Sequence, residues 1–334
     1  SYPIVNIGIL AHVDAGKTSL TENFLFLGKA VKELGNVDKG TSQTDFYDVE
    51  KERGISVVST TTYFTWKGIT INLIDTPGHV DFSSEVERSL TVLDGVIIVI
   101  SAVEGIQSQT ELIIEATQKL NIPTIVFINK IDRAGSDVKL IAEQLKEDKG
   151  LNVFYPQEIT NEESLNAELK SIWTENTYKD HPYLIETIAE TDDALLERYF
   201  EEDIPSFNEL NNTFFDSFVK GEITPVFLGS AKSGVGIENL LDNIINLIPR
   251  PKGNDEEELS GRVFSVRHDK ELGKLAGIRI YNGVINIRDE VIIAGIAKEK
   301  VSRIRFYRGS SFEQRDFVRA GEVAYVGGLT SCNP

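Results

Sequence analysis

Short continuous apolar runs alternate with longer amphipathic stretches over the first 132 residues of the chain. The apolar runs lie at residues 5–10, 95–100 and 124–128, and such runs are typical of parallel strands that are buried on both faces. Helices are predicted between them, at residues 19–27 and 107–120. Because strands that alternate with helices form parallel sheets covered on both faces, this pattern predicts a doubly wound α/β domain.

Two more strands are predicted as a hairpin within this region. They lie at residues 60–64 and 69–74, and the turn between them contains Lys67 and Gly68. A short helix is predicted next, at residues 86–93. The hairpin therefore adds an edge to the predicted sheet.

After residue 132 the pattern becomes less regular. An inserted region at about 143–222 contains three predicted helices, at residues 163–173, 192–200 and 206–219. Buried-strand character resumes at 224–228, and an amphipathic helix is predicted at 237–248, where Pro249 ends it. We expect this helix to close the first domain, which spans residues 1–253.

A linker at 252–259 leads to a second domain, predicted at residues 259–334. Turn residues separate five short strands there, predicted at 262–268, 276–282, 290–293, 300–307 and 322–326. Short strands in this arrangement indicate a small antiparallel β-barrel. The fold class is therefore an α/β domain with an insertion, followed by a β-barrel domain.

The distribution of charge bears on which partners the chain can bind. The net charge is −18, and residues 143–222 carry 20 acidic but only 6 basic side chains. The second domain is basic, with 13 Lys and Arg against 8 Asp and Glu. An acidic chain is disfavoured as a general nucleic-acid binder, so no DNA partner is expected, although the basic domain leaves room for a local contact.

Cysteine content and hydropathy bear on the compartment. A single cysteine, Cys332, excludes an intramolecular disulfide and fits a reducing cytoplasm. No stretch approaches the roughly 18 continuous apolar residues that a membrane helix needs. We therefore expect a cytoplasmic protein with no membrane partner.

The junction of the first predicted strand and helix carries the sequence AHVDAGKTS, residues 11–19. A Gly-Lys-Thr loop between a strand and a helix is the arrangement of a P-loop, whose backbone N–H groups and helix N-terminus hold phosphates. Ala11 stands where the general pattern has glycine. We expect Lys17 to bind the β- and γ-phosphates and the Thr18 hydroxyl to bind Mg²⁺. The predicted nucleotide-binding residues of this loop are Asp14, Ala15, Gly16, Lys17, Thr18 and Ser19.

A second element of a nucleotide site ends the hairpin. Asp75 closes the predicted strand and is followed by Thr-Pro-Gly-His. A carboxylate in this place can hold a water on Mg²⁺, and the Gly78 N–H can reach a γ-phosphate. This segment would therefore sense whether the γ-phosphate is present.

The identity of the nucleotide base is indicated by Asn129-Lys130-Ile131-Asp132, which follows another predicted strand. The Asp132 carboxylate can accept hydrogen bonds from guanine N1–H and from the guanine amino group. Adenine offers neither donor, and an unpaired carboxylate there would cost on the order of 1–3 kcal/mol or more. Asn129 is expected to tie this loop to its neighbours, and the stem of Lys130 to lie along the base.

A third loop, after the strand at 224–228, completes the predicted site. It contains Ser230, Ala231 and Lys232, and the Ala231 N–H can reach the guanine carbonyl oxygen. Three such motifs in this order, each at the end of a predicted strand, predict a site for GTP or GDP with Mg²⁺.

These motifs carry a family resemblance. The sequences AHVDAGKT, RGIS, DTPGH, NKID and SAK, in this order, resemble the translational GTPases, elongation factor G and its relatives. The stretches LDGVIIVISAVEGIQSQT and IPTIVFINKIDRAG most resemble the ribosomal protection proteins that confer tetracycline resistance. Ala11 is usual in this group. The resemblance covers essentially the whole chain and is weakest in the acidic insertion.

The resemblance assigns further roles by position. It implies that His79 positions the attacking water, and that Val13 and Ile55 form an apolar gate that holds this histidine away until activation. Ser56 stands where the family has a threonine that binds Mg²⁺. Serine keeps the oxygen but loses the methyl group, so we expect metal ligation to survive. The metal ligands that follow are Thr18, Ser56 and Asp75.

The resemblance also implies an activity and partners. The reaction would be hydrolysis of GTP to GDP and phosphate, slow alone and accelerated on the ribosome, with rRNA and the stalk proteins as partners of the full-length protein. Ribosomal protection proteins need further C-terminal domains, so we expect a monomeric N-terminal fragment that ends at Pro334. Two alternatives stay open: a translocase of the elongation factor G type, and a nucleotide-switched ribosome-binding module with incidental hydrolysis.

Overall fold

The structure is a computed structural model, and it describes residues 3–30, 60–75, 84–308 and 311–333, without the side chains of 60, 75 and 84–86. The chain divides into two compact units. The first unit comprises residues 1–9, 21–94 and 249–334, and the second comprises residues 10–20 and 95–248. The domain boundaries predicted from the sequence stay a prediction.

The elements up to residue 132 match the hydrophobic pattern. In chain order they are β1 (Ile4–Ala11), α1 (Lys17–Leu27), β2 (Thr60–Trp66), β3 (Ile69–Asp75), α2 (Ser84–Leu90), β4 (Gly95–Ser101), α3 (Ser108–Lys119) and β5 (Thr124–Asn129). Every residue of β1 and β4 is buried, as continuous apolar runs predict.

In the first unit, β1 and β3 pair in parallel, and Ile9 lies opposite Asp75. Strand β2 pairs with β3 in the antiparallel direction, so the strand order here is β2-β3-β1. The predicted hairpin is confirmed. Lys67 and Gly68 have φ values of 46° and 82°, and two central residues with positive φ match the right-handed twist of hairpin strands.

The second unit continues with the inserted region. Its elements are α4 (Val138–Glu147), β6 (Val153–Phe154), β7 (Gln157–Thr160), β8 (Glu168–Ser171), a 3₁₀ turn (Tyr178–Asp180), α5 (Pro182–Ala189), α6 (Asp193–Phe200), α7 (Phe207–Val219), β9 (Thr224–Leu228) and α8 (Ile237–Leu247). Strands β4, β5, β9 and β6 are parallel neighbours in that order.

The helix predicted at 163–173 is wrong. Strands β7 and β8 form a hairpin there, with Ile159 opposite Leu169. The turn between them holds Glu163 at φ 65°, and the Glu163 N–H donates to Ile131 O instead of to a helical carbonyl. Leu165, in the same turn, is 80% exposed.

The C-terminal part of the first unit is antiparallel throughout. Its strands are β10 (Ser260–Asp269), β11 (Gly273–Asn282), β12 (Val284–Asn286), β13 (Glu290–Ile293), β14 (Ala297–Lys300), β15 (Arg303–Arg308), β16 (Ser311–Gln314), β17 (Phe317–Arg319) and β18 (Val323–Gly327). Five form one sheet, in the order β10-β11-β18-β15-β16, and β12-β17 and β13-β14 form two-stranded sheets. Many apolar residues of these sheets share a buried core that includes Ile278, Ile304 and Val326, and Leu275, Tyr307 and Tyr325 form a separate cluster.

One predicted strand of this part is divided in two. The pattern predicted a strand at 300–307, but Lys300 ends β14 and Arg303 begins β15. Between them the Val301 N–H donates to Asp289 O, and the Ser302 N–H donates to Gly327 O. The chain therefore leaves its pairing with β13 and begins to pair with β18 at this point. The pattern of apolar residues does not predict such a change of pairing.

Candidate functional site

The P-loop forms at the junction that the sequence predicted. Strand β1 ends at Ala11, and α1 begins at Lys17. The Ala15 N–H donates to His12 O, and the Leu20 N–H donates to Gly16 O, so the loop turns directly into the helix. The side chains of Lys17 and Thr18 are buried, and Ser19 is half-buried. A loop that leads into a helix N-terminus in this way forms a site for anions.

Asn129, at the end of β5, joins the three predicted loops. Its Nδ2 donates to Ala15 O of the P-loop over 2.9 Å, and its Oδ1 accepts the Ala231 N–H over 2.9 Å. Gly16 has φ 102°, and a Cβ there would lie 2.1 Å from Asn129 Nδ2. Only glycine fits this position. The contact between the two loops therefore depends on the absence of a side chain at Gly16.

The loop at residues 129–132, called the base loop below, presents a carboxylate oxygen that can accept a hydrogen bond. Ile131 is buried, and the neighbouring Asp132 Oδ1 is buried without a hydrogen-bond partner among the residues that the structure describes. A buried carboxylate oxygen normally has a donor, because leaving it unpaired is costly. The N1–H and amino group of guanine are donors of the kind that this oxygen lacks, so the residues present fit the predicted base.

The third loop is held mainly by hydrogen bonds among its own residues. The Ser230 N–H donates to Val235 O over 2.9 Å, and the Ser233 N–H donates to Ser230 Oγ over 3.1 Å. Ser230 and Ala231 are buried, whereas Lys232 is exposed. The Ala231 N–H, which the sequence predicted as a donor to guanine, donates to Asn129 in the structure, and its role toward the base stays a prediction.

Sequence reasoning missed three side chains that line these loops. His12 Nε2 lies 2.8 Å from Glu104 Oε2, and Glu104 Oε1 lies 3.4 Å from Lys130 Nζ. Gln109 Oε1 accepts the Val13 N–H over 3.3 Å. Glu104 and Gln109 follow the carboxyl end of β4, and this position at the edge of a parallel sheet was the available signal.

Glu104 is charged in this setting. Partial burial raises the pKa of Glu104, but the hydrogen bond with His12 and the ammonium of Lys130 outweigh it and hold the pKa below its usual value. Lys130 Nζ also donates to Asp14 O. Lys130 and Asp14 have φ values of 69° and 66°, a left-handed conformation that residues other than glycine rarely adopt.

Part of the predicted site falls outside the described ranges. His79, Gly78, Ser56 and the gate residue Ile55 lie outside the described residues, and Asp75 is described only as the last residue of β3. Of the predicted Mg²⁺ ligands, the structure therefore places the Thr18 side chain alone. Within the described ranges, no group of three or more His, Cys, Asp or Glu side chains could hold a metal ion.

The fold and these loops define a P-loop protein with an acceptor suited to guanine. The elongation factor Tu GTP binding domain family matches residues 2–250, and the chain belongs to that family. The matched residues thus belong to a family of GTP-binding domains. The predicted resemblance to translational GTPases is confirmed.

Individual relatives cover almost the whole chain. It is 41% identical to the tetracycline resistance protein TetP of Clostridium perfringens, over 98% of this chain and 50% of that protein. It is 39% identical to the tetracycline resistance protein TetM from transposon Tn1545 of Enterococcus faecalis, over 97% of this chain and 49% of that protein. The chain thus spans about half the length of the curated relatives it matches.

A solved structure shares the fold. The chain resembles the crystal structure of a protein from Thermus thermophilus, with a TM-score of 0.83 and 24% sequence identity. The match covers 98% of this chain and 53% of the Thermus thermophilus chain. Among the described residues, no helix is both long and apolar enough to cross a membrane.

Proposed function

We propose that this chain is the GTP-binding and GTP-hydrolysing part of a ribosomal protection protein that gives tetracycline resistance. The observation that carries the nucleotide assignment is the buried Asp132 oxygen without a partner in the described part of the chain, beside a P-loop that Asn129 holds in place. The relatives named as tetracycline resistance proteins, at 39% and 41% identity, support the biological role.

Guanine would be read mainly by Asp132, whose carboxylate accepts from N1–H and from the exocyclic amino group. The Lys130 stem would lie along the base, while its ammonium stays anchored on Asp14 O. Ser230, Ala231 and Lys232 would complete the base side. Adenine would leave the carboxylate buried and unpaired, which disfavours ATP.

The phosphates would lie on the P-loop. Residues 14–19 offer backbone N–H groups, and Lys17 adds a positive charge for the β- and γ-phosphates. Mg²⁺ would be held by the Thr18 hydroxyl and Ser56, with Asp75 acting through a water. When bound, Mg²⁺ neutralises charge that develops on the phosphates.

Hydrolysis would use His79 to orient a water toward the γ-phosphorus. A bond forms from the water oxygen to that phosphorus while the bond to the β-phosphate oxygen breaks, which yields GDP and phosphate. Val13 and Ile55 would keep His79 away from the γ-phosphate until the ribosome is engaged. The isolated chain should therefore bind GTP but hydrolyse it very slowly.

The base assignment is tested with Asp132→Asn. The amide should weaken GTP binding and favour XTP, because the extra carbonyl oxygen of xanthine can accept from the new NH₂ group. Asp137→Asn is a matched control on the same stretch of chain. Asp137 caps α4 by accepting the Leu140 N–H, and asparagine caps a helix equally well. A variant at 132 that still prefers GTP in calorimetry would make the guanine assignment for this loop wrong.

The biological role is tested with the full-length gene. Its expression in a sensitive bacterium should raise the tetracycline concentration that the cells tolerate, and ribosomes should stimulate multiple-turnover hydrolysis of GTP. Ribosome stimulation without any protection would favour a translocase of the elongation factor G type. Absence of ribosome stimulation would favour a nucleotide-switched binding module.

A further inference from the structure

Glu104 contacts both sides of the proposed nucleotide site. Its Oε2 lies 2.8 Å from Nε2 of His12, which belongs to the P-loop. Its Oε1 lies 3.4 Å from Nζ of Lys130, which belongs to the base loop. One carboxylate therefore links the loop that would hold phosphates to the loop that would hold the base.

The position of Glu104 is fixed by the turn after β4. Ser101, the last residue of that strand, accepts the backbone N–H groups of Val103 and Glu104 on its Oγ, over 3.3 and 3.2 Å. The Ser101 side chain is fully buried, so it anchors the turn to the sheet. The carboxylate of Glu104 thus projects from a rigid strand end and not from a freely moving loop.

The groups that Glu104 holds are more buried than Glu104 itself. The side chains of His12 and Lys130 are 6% and 11% exposed, whereas that of Glu104 is 40% exposed. His12 is also 3.5 Å from Thr110 Oγ1 on α3, so its ring is held from two sides. Glu104 therefore lies on the rim of the site and contacts the more buried side chains of His12 and Lys130.

The Lys130 ammonium has two partners on the far side of the proposed site. It donates to Asp14 O of the P-loop and pairs with Glu104. Both Lys130 and Asp14 have left-handed backbones, so each loop depends on contacts to keep its shape. Without Glu104, the carbonyl of Asp14 is the partner left to Lys130 among these contacts.

We propose that Glu104 is a positioning residue that ties the P-loop to the base loop and thereby slows the release of guanine nucleotide. This inference rests on the proposed function, since it needs a guanine nucleotide between the two loops. Nucleotide release requires the loops to loosen, and the Glu104 contacts resist that loosening in the bound state.

The test is the dissociation of a fluorescent GDP, 2′/3′-N-methylanthraniloyl-GDP, from the full chain after a chase with excess GDP. Glu104→Gln keeps the shape but removes the charge, and dissociation should accelerate roughly tenfold, as expected for the loss of charge-assisted hydrogen bonds at a partly exposed group. Glu104→Asp keeps the charge on a shorter arm and should give an intermediate rate. Association rates should change less than about twofold, because such effects lie mainly in dissociation.

Glu111→Gln is the matched control. Glu111 lies on α3 and forms an ion pair with Lys149, a contact that involves neither loop. Its replacement should leave the dissociation rate within about twofold of the parent, since surface ion pairs contribute little.

A double-variant cycle separates positioning from general loss of structure. In a Lys130→Ala background, Glu104→Gln should accelerate release much less than in the parent, because part of its action passes through Lys130. Equal acceleration in both backgrounds would overturn the proposal, as would an unchanged rate for Glu104→Gln in a parent that binds the fluorescent GDP. If the parent itself does not bind the fluorescent GDP, the proposed function is wrong.

Discussion

A buried arginine in the first unit gives a sharp test of how the structure is held together. Arg279, on β11, is 4% exposed. Its Nη1 donates to Val92 O over 3.1 Å, and its Nη2 donates to Asp94 Oδ1 over 3.2 Å. Asp94 Oδ2 in turn accepts the backbone N–H and the side-chain Nδ2 of Asn6, over 2.8 and 2.9 Å. The charged pair thus joins the C-terminal strands to β1.

Arg279→Met keeps a long side chain but removes the charge and its donors. The carboxylate of Asp94, 13% exposed, would then lose the guanidinium that is hydrogen-bonded to it, and removal of one partner of a buried pair costs about 3–5 kcal/mol. Because Asn6 still donates to Asp94, we expect the lower end of that range, about 3 kcal/mol. Arg303→Met is the control, since Arg303 is exposed on β15 and should change stability by less than about 0.5 kcal/mol.

The measurement is equilibrium unfolding in urea, monitored by circular dichroism. The dependence of the unfolding free energy on urea concentration, the m-value, is compared between variants. The double variant Arg279→Met with Asp94→Asn removes the stranded charge, so it should recover part of the stability lost by Arg279→Met alone. A loss below about 1 kcal/mol for Arg279→Met would refute the argument from a buried pair. Strictly additive losses in the double variant would refute it as well.

Two more predictions concern catalysis and pH. His79→Ala should leave GTP affinity within about twofold, because the side chain acts in the transition state, but it should lower single-turnover hydrolysis on ribosomes roughly 10²-fold; a rate within about twofold of the parent would make His79 structural. The backbone N–H groups of Leu272 and Glu271, with Arg305 adding to them, hold the pKa of Asp269 below its usual value. A lowered folded-state pKa gives stability that is present above about pH 4 and is lost as the pH falls further. Asp269→Asn should therefore destabilise the chain in urea more at pH 7 than at about pH 3, and an equal penalty at both pH values would contradict this sign.

The strands that are buried on both faces could be predicted from the sequence. Strands β4 and β5 are continuous apolar runs, and only a buried strand accommodates such a run in a short length. The inserted region lacks this signal. Its residues at 163–173 have helical spacing, but the Glu163 N–H bonds to Ile131 O, a contact between distant parts of the chain. Spacing along a sequence carries no information about such a partner.

The site shows the same division. Lys17, Asn129 and Asp132 could be predicted because the chemistry of a phosphate and a guanine base favours those residue types in loops that follow strands. Glu104 could not, because its role follows from which side chains meet in space. A glutamate just after a buried strand end is otherwise an ordinary solvated charge, and only the positions of His12 and Lys130 give it a function.

The acidic insertion raises the question of how an anion binds beside so many carboxylates. Part of the answer lies in the turn between β7 and β8. Glu162 Oε1 accepts the Val138 N–H at the start of α4, and Glu163 Oε2 accepts the Gly135 N–H. Both carboxylates are therefore used on backbone donors that follow the base loop, one of them at the positive end of a helix. Of the other acids in the insertion, Asp203 and Glu209 pair with Arg198, and salt screens exposed charges beyond about 8 Å at physiological ionic strength. The insertion can thus be acidic and still support the chain that follows residues 129–132.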